Sequence, residues 1–334
     1  MKVIIPMGGL GTRMRPHTWS RPKSLLNVAG NTVIGHILDE LAEVTTDEVI
    51  FVVGYKGDEI EAWIREHYPH LNAHFVIQEE ALGQAHAIWL CREFLDEQDV
   101  MICFGDGVIK AAYEELGQQP EADAVFLVEE VEDPSSFGVV ALNEAGNIVE
   151  FIEKPDDDKY RLAIAGVYWF RDGNYLMRAL KRVMEEGLQT KGEYYLADAF
   201  QVMLGEGGKL RTQVVSAWLD GGKPENILYT NKRLLGMGGY ETKDAVERSY
   251  VEDFTVLPPV YIDETAVIEN AVIGPYVSVG AGAVIRRAVV RNSIIDDDAV
   301  ISDCVLDGAL VGERAEVIGR GSALFVGDDA QITL

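Results

Sequence analysis

The segment Gly8-Gly9-Leu10-Gly11-Thr12-Arg13-Met14-Arg15-Pro16 opens directly after a short apolar run at residues 2–6. Glycines at this spacing let backbone N–H groups approach phosphate oxygens closely, and cations beside them neutralise the charge. Arg13, Arg15, Arg21 and Lys23 fall within eleven residues, and the first acid is Asp39. The segment is not a P-loop, because the Gly-Lys-Ser/Thr ending is absent. It is not a dinucleotide fingerprint, because Met14 stands where the third glycine belongs. A small phosphorylated ligand is the chemistry that suits it. The charge balance agrees. The 334 residues hold 29 Lys and Arg against 55 Asp and Glu, a formal charge of −26, yet the first 38 residues carry five cations and no acid. So negative a chain repels nucleic acid and anionic membranes, and neither is expected as a partner.

Secondary-structure elements must bring such residues together. Residues 2–6, 49–53, 75–77 and 100–104 read as strands, and 33–41, 60–67 and 84–95 keep helical spacing. This alternation predicts a parallel sheet covered by helices. From residue 124 the pattern is mixed. Strands are expected at 124–128, 138–142, 148–152, 163–170 and 210–218, with helices near 173–186, 194–204 and 224–235. The turn Glu144-Ala145-Gly146-Asn147 makes 138–142 and 148–152 a hairpin. The result is an α/β, Rossmann-like domain over residues 1–235, its sheet mixed but mostly parallel. Residues 236–249, with three glycines and no periodicity, read as a linker.

From about residue 256 the texture changes. A small residue followed by two aliphatics recurs at 266, 271, 283, 288, 293, 299, 304 and 309, and weaker copies, Val277-Ser278-Val279 and Ala315-Glu316-Val317, fill the remaining places. Steps of five or six, three to a coil, predict three short flat strands per turn with the last aliphatic pointing inward. Gly274, Gly280, Gly282, Gly308 and Gly312 lie between triads, where corners need permissive backbone. The pattern resembles the hexapeptide repeat of left-handed parallel β-helices over 256–326, within a domain spanning 250–334. Many such helices are acyltransferases with a histidine base. All six histidines here precede residue 87, so the repeat reads as structural, oligomeric or regulatory, and a homo-oligomer is expected. Asp156-Asp157-Asp158 and Asp296-Asp297-Asp298 read as solvated turns. The three cysteines lack metal-ligand spacing and read as reduced thiols. No apolar run is long enough for a bilayer, and the N-terminus is unlike a signal peptide, so a cytoplasmic protein is expected.

The N-terminal motif, extended by Arg21-Pro22-Lys23-Ser24-Leu25-Leu26, resembles the signature of the sugar-1-phosphate nucleotidyltransferases, and the similarity runs through residues 1–235. The resemblance implies that an NTP and a sugar 1-phosphate give an NDP-sugar and pyrophosphate, with Mg²⁺. It implies catalytic roles for Arg13, on the leaving pyrophosphate, and for Lys23, on the α-phosphate. Gly8, Gly9, Gly11 and Thr12 would cradle the nucleotide, and Gln78 and Gly83 would read the base. Asp106 and Asp220, each just past a strand, resemble the metal-binding pair, and two carboxylates with phosphate oxygens and water suit Mg²⁺. Gly107 follows Asp106 where asparagine is often found. Glu153-Lys154-Pro155 resembles the tripeptide that binds sugar 1-phosphate, and Gly138 and Gly166-Val167-Tyr168 resemble backbone contacts around the sugar ring. His86 reads as a helix residue packed on the sheet, and Trp218 as core or site wall. The stretch Leu82-Gly83-Gln84-Ala85-His86 looks most like thymidylyl and uridylyl members acting on glucose 1-phosphate. A guanylyl or N-acetylglucosamine-directed enzyme, or an inactive sugar-nucleotide-binding subunit, is the alternative.

Overall fold

The computed structural model describes residues 1–42, 44–189, 192–251, 253–319 and 324–333, so that residues 320–323 of the expected repeat lie outside the described residues. The chain packs as two compact units, neither of them one stretch of sequence. Met1–Gly9, Ile37–Gly105 and Ile109–Trp218 make the first, and Leu10–His36, Asp106–Val108 and Leu219–Leu334 the second.

The first unit is built on a nine-stranded sheet. Its centre is Lys2–Pro6, paired in parallel with Glu48–Val53 on one side and Val100–Cys103 on the other, and Ala73–Ile77 extends the parallel block. Val3, Ile4 and Ile5 have no exposure, as expected of continuous apolar strands covered on both faces. Leu162–Phe170 pairs antiparallel with Val100–Cys103 and with Ala124–Glu130. The hairpin of Gly138–Leu142 and Ile148–Glu153 joins through Leu162 and Ala163. Helices Gly173–Glu185 and Leu196–Gly205 cover one face, where Phe126, Phe151, Tyr168, Phe170 and Phe200 form a buried aromatic cluster.

Two elements differ from the sequence reading. The helix expected at 84–95 ends early, as Gln84–Trp89 followed by a 3₁₀ turn at Arg92–Phe94. The strand expected at 210–218 is two. Leu210–Val214 belongs to the large sheet, while Ala217–Asp220 pairs with Gly107–Lys110. The change happens where the Val215 N–H bonds the Val128 carbonyl and the next N–H, of Ser216, bonds that of Lys110. A hydropathy run cannot show such a change of partner.

In the second unit, three parallel sheets wind around one apolar core, the architecture of the left-handed parallel β-helix. Coils stack in register, Ile268 on Ile285 on Ile301 on Val317 along one face, and all four are buried. Of the expected corner glycines, Gly274, Gly282 and Gly308 have positive φ and Gly280 and Gly312 do not. Left-handed backbone recurs at Asp253, Asn270, Arg287 and Asp303, and again at Gly282, Asp298, Arg314 and Asp329. Most corner positions are thus polar residues, and Asn and Asp tolerate this conformation because short polar side chains bond locally. Helix Pro224–Met237 belongs to the same unit. Its Asn231 accepts from Ala29 N and Ser278 Oγ at 2.9 and 2.6 Å. Of residues 236–249, the first two complete this helix and Ala245 begins another, Ala245–Val251.

Candidate active site

In the second unit the glycine turn is closed by its own continuation. Gly11 has φ 60°, and a Cβ there would lie 3.0 Å from Thr18 Cγ2 and 3.3 Å from Lys23 Cβ. Thr18 donates its hydroxyl to the Gly11 carbonyl at 2.8 Å. The following 3₁₀ turn, Thr12–Met14, is anchored by fully buried Met14 and leaves Thr12 and Arg13 exposed. Lys23 begins a second 3₁₀ turn, Lys23–Leu25, and its Nζ reaches Asp106 Oδ2 at 3.0 Å. Asp106 and Asp220 are neighbours, because the Gly221 N–H donates to the Asp106 carbonyl at 2.9 Å. The Asp220 carboxylate accepts from Gly222 N at 3.0 Å and from the Asn226 amide. A Cβ on Gly222 would lie 3.3 Å from an Arg13 guanidinium nitrogen. The fold therefore gathers Arg13, Lys23, Asp106 and Asp220.

The two carboxylates fit a hard divalent cation. Among the described residues no three His, Cys, Asp or Glu side chains form a ligand cage. Asp106 is half exposed. Two oxygen donors with open positions match a cation that keeps waters and takes phosphate oxygens.

In the first unit, the Gln78 side chain is fixed on three sides. Its Nε2 donates to the Gly83 carbonyl at 3.1 Å and meets His86 Nδ1 at 3.2 Å. A Cβ on Gly8 would lie 2.9 Å from Gln78 Oε1. A carbonyl only accepts, so the amide nitrogen must face Gly83. Burial pulls the His86 pKa down, against the opposite pull of Glu80, and a neutral ring can accept at Nδ1. Both amide hydrogens are thereby engaged, and Oε1 is left as the acceptor. Gly83 has φ 110°, and a Cβ there would lie 2.5 Å from the Tyr194 carbonyl oxygen. Around Gly9 the space is open.

Gly138, Glu153 and Lys154 also come together. A Cβ on Gly138 would lie 3.0 Å from Glu153 Oε2, and Glu153 Oε1 is 3.5 Å from Lys154 Nζ. The Lys154 N–H donates to the Phe137 carbonyl at 2.9 Å, and Phe137 packs on Trp218 at 5.0 Å between ring centres. Gly166 lies at the irregularity between Ile164 and Tyr168, its carbonyl taken by Phe104 N. Tyr168 is not brought to a surface. Its ring packs on Phe126 and Phe200, and it pairs with strands on both sides.

Three features lay outside the sequence reading. Asn226 holds Asp220, and nothing in its helical context marks it. His86 orients Gln78 rather than merely packing on the sheet, and the eight-residue separation gives no hint. Asp296 is not a solvated turn. It is buried, with Arg21 Nη1 on one oxygen at 3.0 Å and Asn27 Nδ2 on the other at 2.6 Å. Asp156–Asp158 are exposed, as the sequence reading has them.

Residues 2–236 match the family model described as Nucleotidyl transferase. The chain is 30% identical, over 367 residues and the full length of both chains, to the low-salt glycan biosynthesis nucleotidyltransferase Agl11 of Haloferax volcanii. It is 31% identical to the UTP–glucose-1-phosphate uridylyltransferase AglF of the same organism, over 70% of this chain and 96% of that one. Among solved structures, a candidate glucose-1-phosphate thymidylyltransferase from Bacillus anthracis, in complex with a sucrose, superposes with a TM-score of 0.60. It is 27% identical, covering 69% of this chain and 94% of that one.

Proposed function

The chain belongs to the nucleotidyl transferase family, and on that premise we propose that it transfers a nucleotidyl group from dTTP or UTP to glucose 1-phosphate, releasing pyrophosphate. The observation that carries the reading is the grouping of Arg13 and Lys23 with Asp106 and Asp220. Phosphoryl transfer asks little covalent chemistry of a protein and much positioning and charge stabilisation. A phosphate oxygen of the sugar phosphate attacks the α-phosphorus in line. The bond from that phosphorus to the bridging oxygen of the β-phosphate breaks, and pyrophosphate leaves with the electron pair. The nucleophile is already an anion, so no proton has to be removed.

Lys23 is assigned to the α-phosphate and Arg13 to the departing pyrophosphate, where negative charge grows. Asp106 and Asp220 would hold Mg²⁺, which supplies further neutralisation of phosphate charge. Gly8, Gly9, Gly11 and Thr12 are assigned to nucleotide phosphates, and Gln78 with Gly83 to the base. Gln78 Oε1 is an acceptor, so it suits the N3–H of thymine or uracil. Lys154 is assigned to the sugar phosphate, with Glu153 and the backbone at Gly138 and Gly166 on the sugar.

The test is a matrix of NTPs against sugar 1-phosphates with pyrophosphate release as the signal, run with Mg²⁺. Turnover is expected with dTTP or UTP and glucose 1-phosphate, and Arg13→Ala and Asp106→Asn should each cut kcat by about 10²-fold or more. Turnover unchanged by both substitutions would overturn the site, and no turnover in any cell of the matrix would overturn the function.

A further inference from the structure

The segment bearing Arg13 and Lys23 packs in one compact unit with the β-helix. Between Leu10 and Leu26 its regular structure is two three-residue 3₁₀ turns. Local hydrogen bonding of that kind is too little to fix a lysine to ångström precision, so something else must hold it.

What holds it is a ladder of acids on the repeat. Register stacks Ile295, Val311 and Val326 directly over one another. Two positions further along, Asp297, Glu313 and Asp328 therefore form one column. Asp296 sits beside them, one residue earlier in its coil. Arg21 spans this group with both arms of its guanidinium, Nη1 on Asp296 Oδ2 at 3.0 Å and Nη2 on Glu313 Oε2 at 2.5 Å, and only 15% of its side chain is exposed. Ser20 bonds Asp328, and Asn27 reaches both Asp296 and Asp297. Pro16 packs on Gly327, where a Cβ would lie 3.0 Å away. Arg314 also lies at the column, bonded to Glu313 and Asp329. Stacked carboxylates repel, and burial pushes Asp297 up and Asp328 up to about 6. A cation bridging two coils relieves that repulsion.

Lys23 is two residues from Arg21, across Pro22. Its Cβ closes the Gly11 turn, and Thr18 holds the Gly11 carbonyl. A displacement of Arg21 is therefore passed to both Lys23 and the backbone that carries Arg13. Given the nucleotidyl transfer argued above, on which this rests, we propose that Arg21 is a positioning residue of the reaction and that the acidic column of the β-helix holds the phosphate-binding turn through it. The repeat is then part of the catalytic machinery as well as a scaffold.

The experiment uses the full chain with Mg²⁺, dTTP or UTP, and glucose 1-phosphate. Arg21→Met keeps length and removes the charge; Arg21→Lys keeps the charge; Asp296→Asn with Glu313→Gln attacks the same contact from the repeat. Arg21→Met and the paired carboxylate variant should each lower kcat by about ten- to a hundred-fold, with the KM for glucose 1-phosphate changed less than about twofold. Arg21→Lys should recover part of the loss, and combining Arg21→Met with the carboxylate pair should add little. A second readout needs no turnover: amide exchange at residues 11–23 should speed up in Arg21→Met and stay as in wild type in Lys154→Ala. Wild-type kcat and unchanged exchange in Arg21→Met overturn the proposal. If Arg21→Met does not fold, Arg21→Lys and Glu313→Gln alone decide it, and wild-type kcat and exchange in both overturn it. A wild-type chain with no pyrophosphate release overturns the functional reading instead, while exchange still tests the clamp.

Discussion

Acid should unfold this protein partly through His17. The side chain is 2% exposed, and its Nε2 has no partner among the described residues. Burial drives the imidazole pKa from 6.5 to about 4, against the opposing pull of Asp296. The sign follows from linkage. The unfolded chain takes up this proton near pH 6.5 and the folded one only near 4, so the contribution is complete above 6.5 and is lost as pH falls towards 4. At about 1.36 kcal/mol per pH unit, the loss by pH 4 is about 3 kcal/mol. Asp328 works the other way, since its pKa is raised to about 6 by burial and the neighbouring Asp296, and it regains stability over the same interval. Wild-type stability alone therefore understates the histidine. Comparison with His17→Gln isolates it. Urea unfolding followed by far-UV circular dichroism, from pH 7 to 4, should show the difference between wild type and variant shrinking by about 3 kcal/mol in the variant's favour. A difference constant to within about 1 kcal/mol across that range would refute the assignment of His17 as a neutral buried ring.

Two other outcomes are expected. His86→Leu removes the acceptor that fixes the Gln78 amide, so the KM for the NTP should rise by about tenfold, the cost of about one hydrogen bond, with the KM for glucose 1-phosphate unchanged; steady-state kinetics with each substrate varied check it. Gly83→Ala places a Cβ 2.5 Å from the Tyr194 carbonyl oxygen at φ 110°, and thermal unfolding should show a loss of about 2 kcal/mol or more.

The fold was legible wherever period and composition carry it. Lys2–Pro6 and Glu48–Val53 are continuous apolar runs, and the repeat shows its coil length in the spacing of its triads. The reading failed where the partner decides. Nothing in residues 210–218 says that the chain changes sheets at Val215, since the apolar pattern continues through the change. The site divides the same way. Arg13, Lys23, Asp106 and Asp220 sit in short motifs whose spacing is local, and the fold brings them together. Asn226, His86 and Asp296 act on residues 6, 8 and 275 positions away. Such pairs exist only once the chain is folded, and Asp296 looks like any surface acid in a run of three.

The acid-free N-terminus shows what a charge count hides. Its five cations are equivalent as sequence and are not equivalent as structure. Lys2 is spent on the Phe94 carbonyl and Asp96. Arg21 is spent on the β-helix. Lys23 is shared, because its partner Asp106 is also one of the proposed metal ligands, and a cation bound there would release the lysine towards phosphate. Arg13 and Arg15 are exposed and, among the described residues, make no ion pair within 4.0 Å. Both are exposed to solvent, where an unpaired guanidinium costs little, and both are available to an anionic ligand. Arg15 and Arg21 should therefore behave differently. Removing Arg15 should weaken NTP binding and leave the fold untouched, whereas removing Arg21 should disturb the turn before any nucleotide is present.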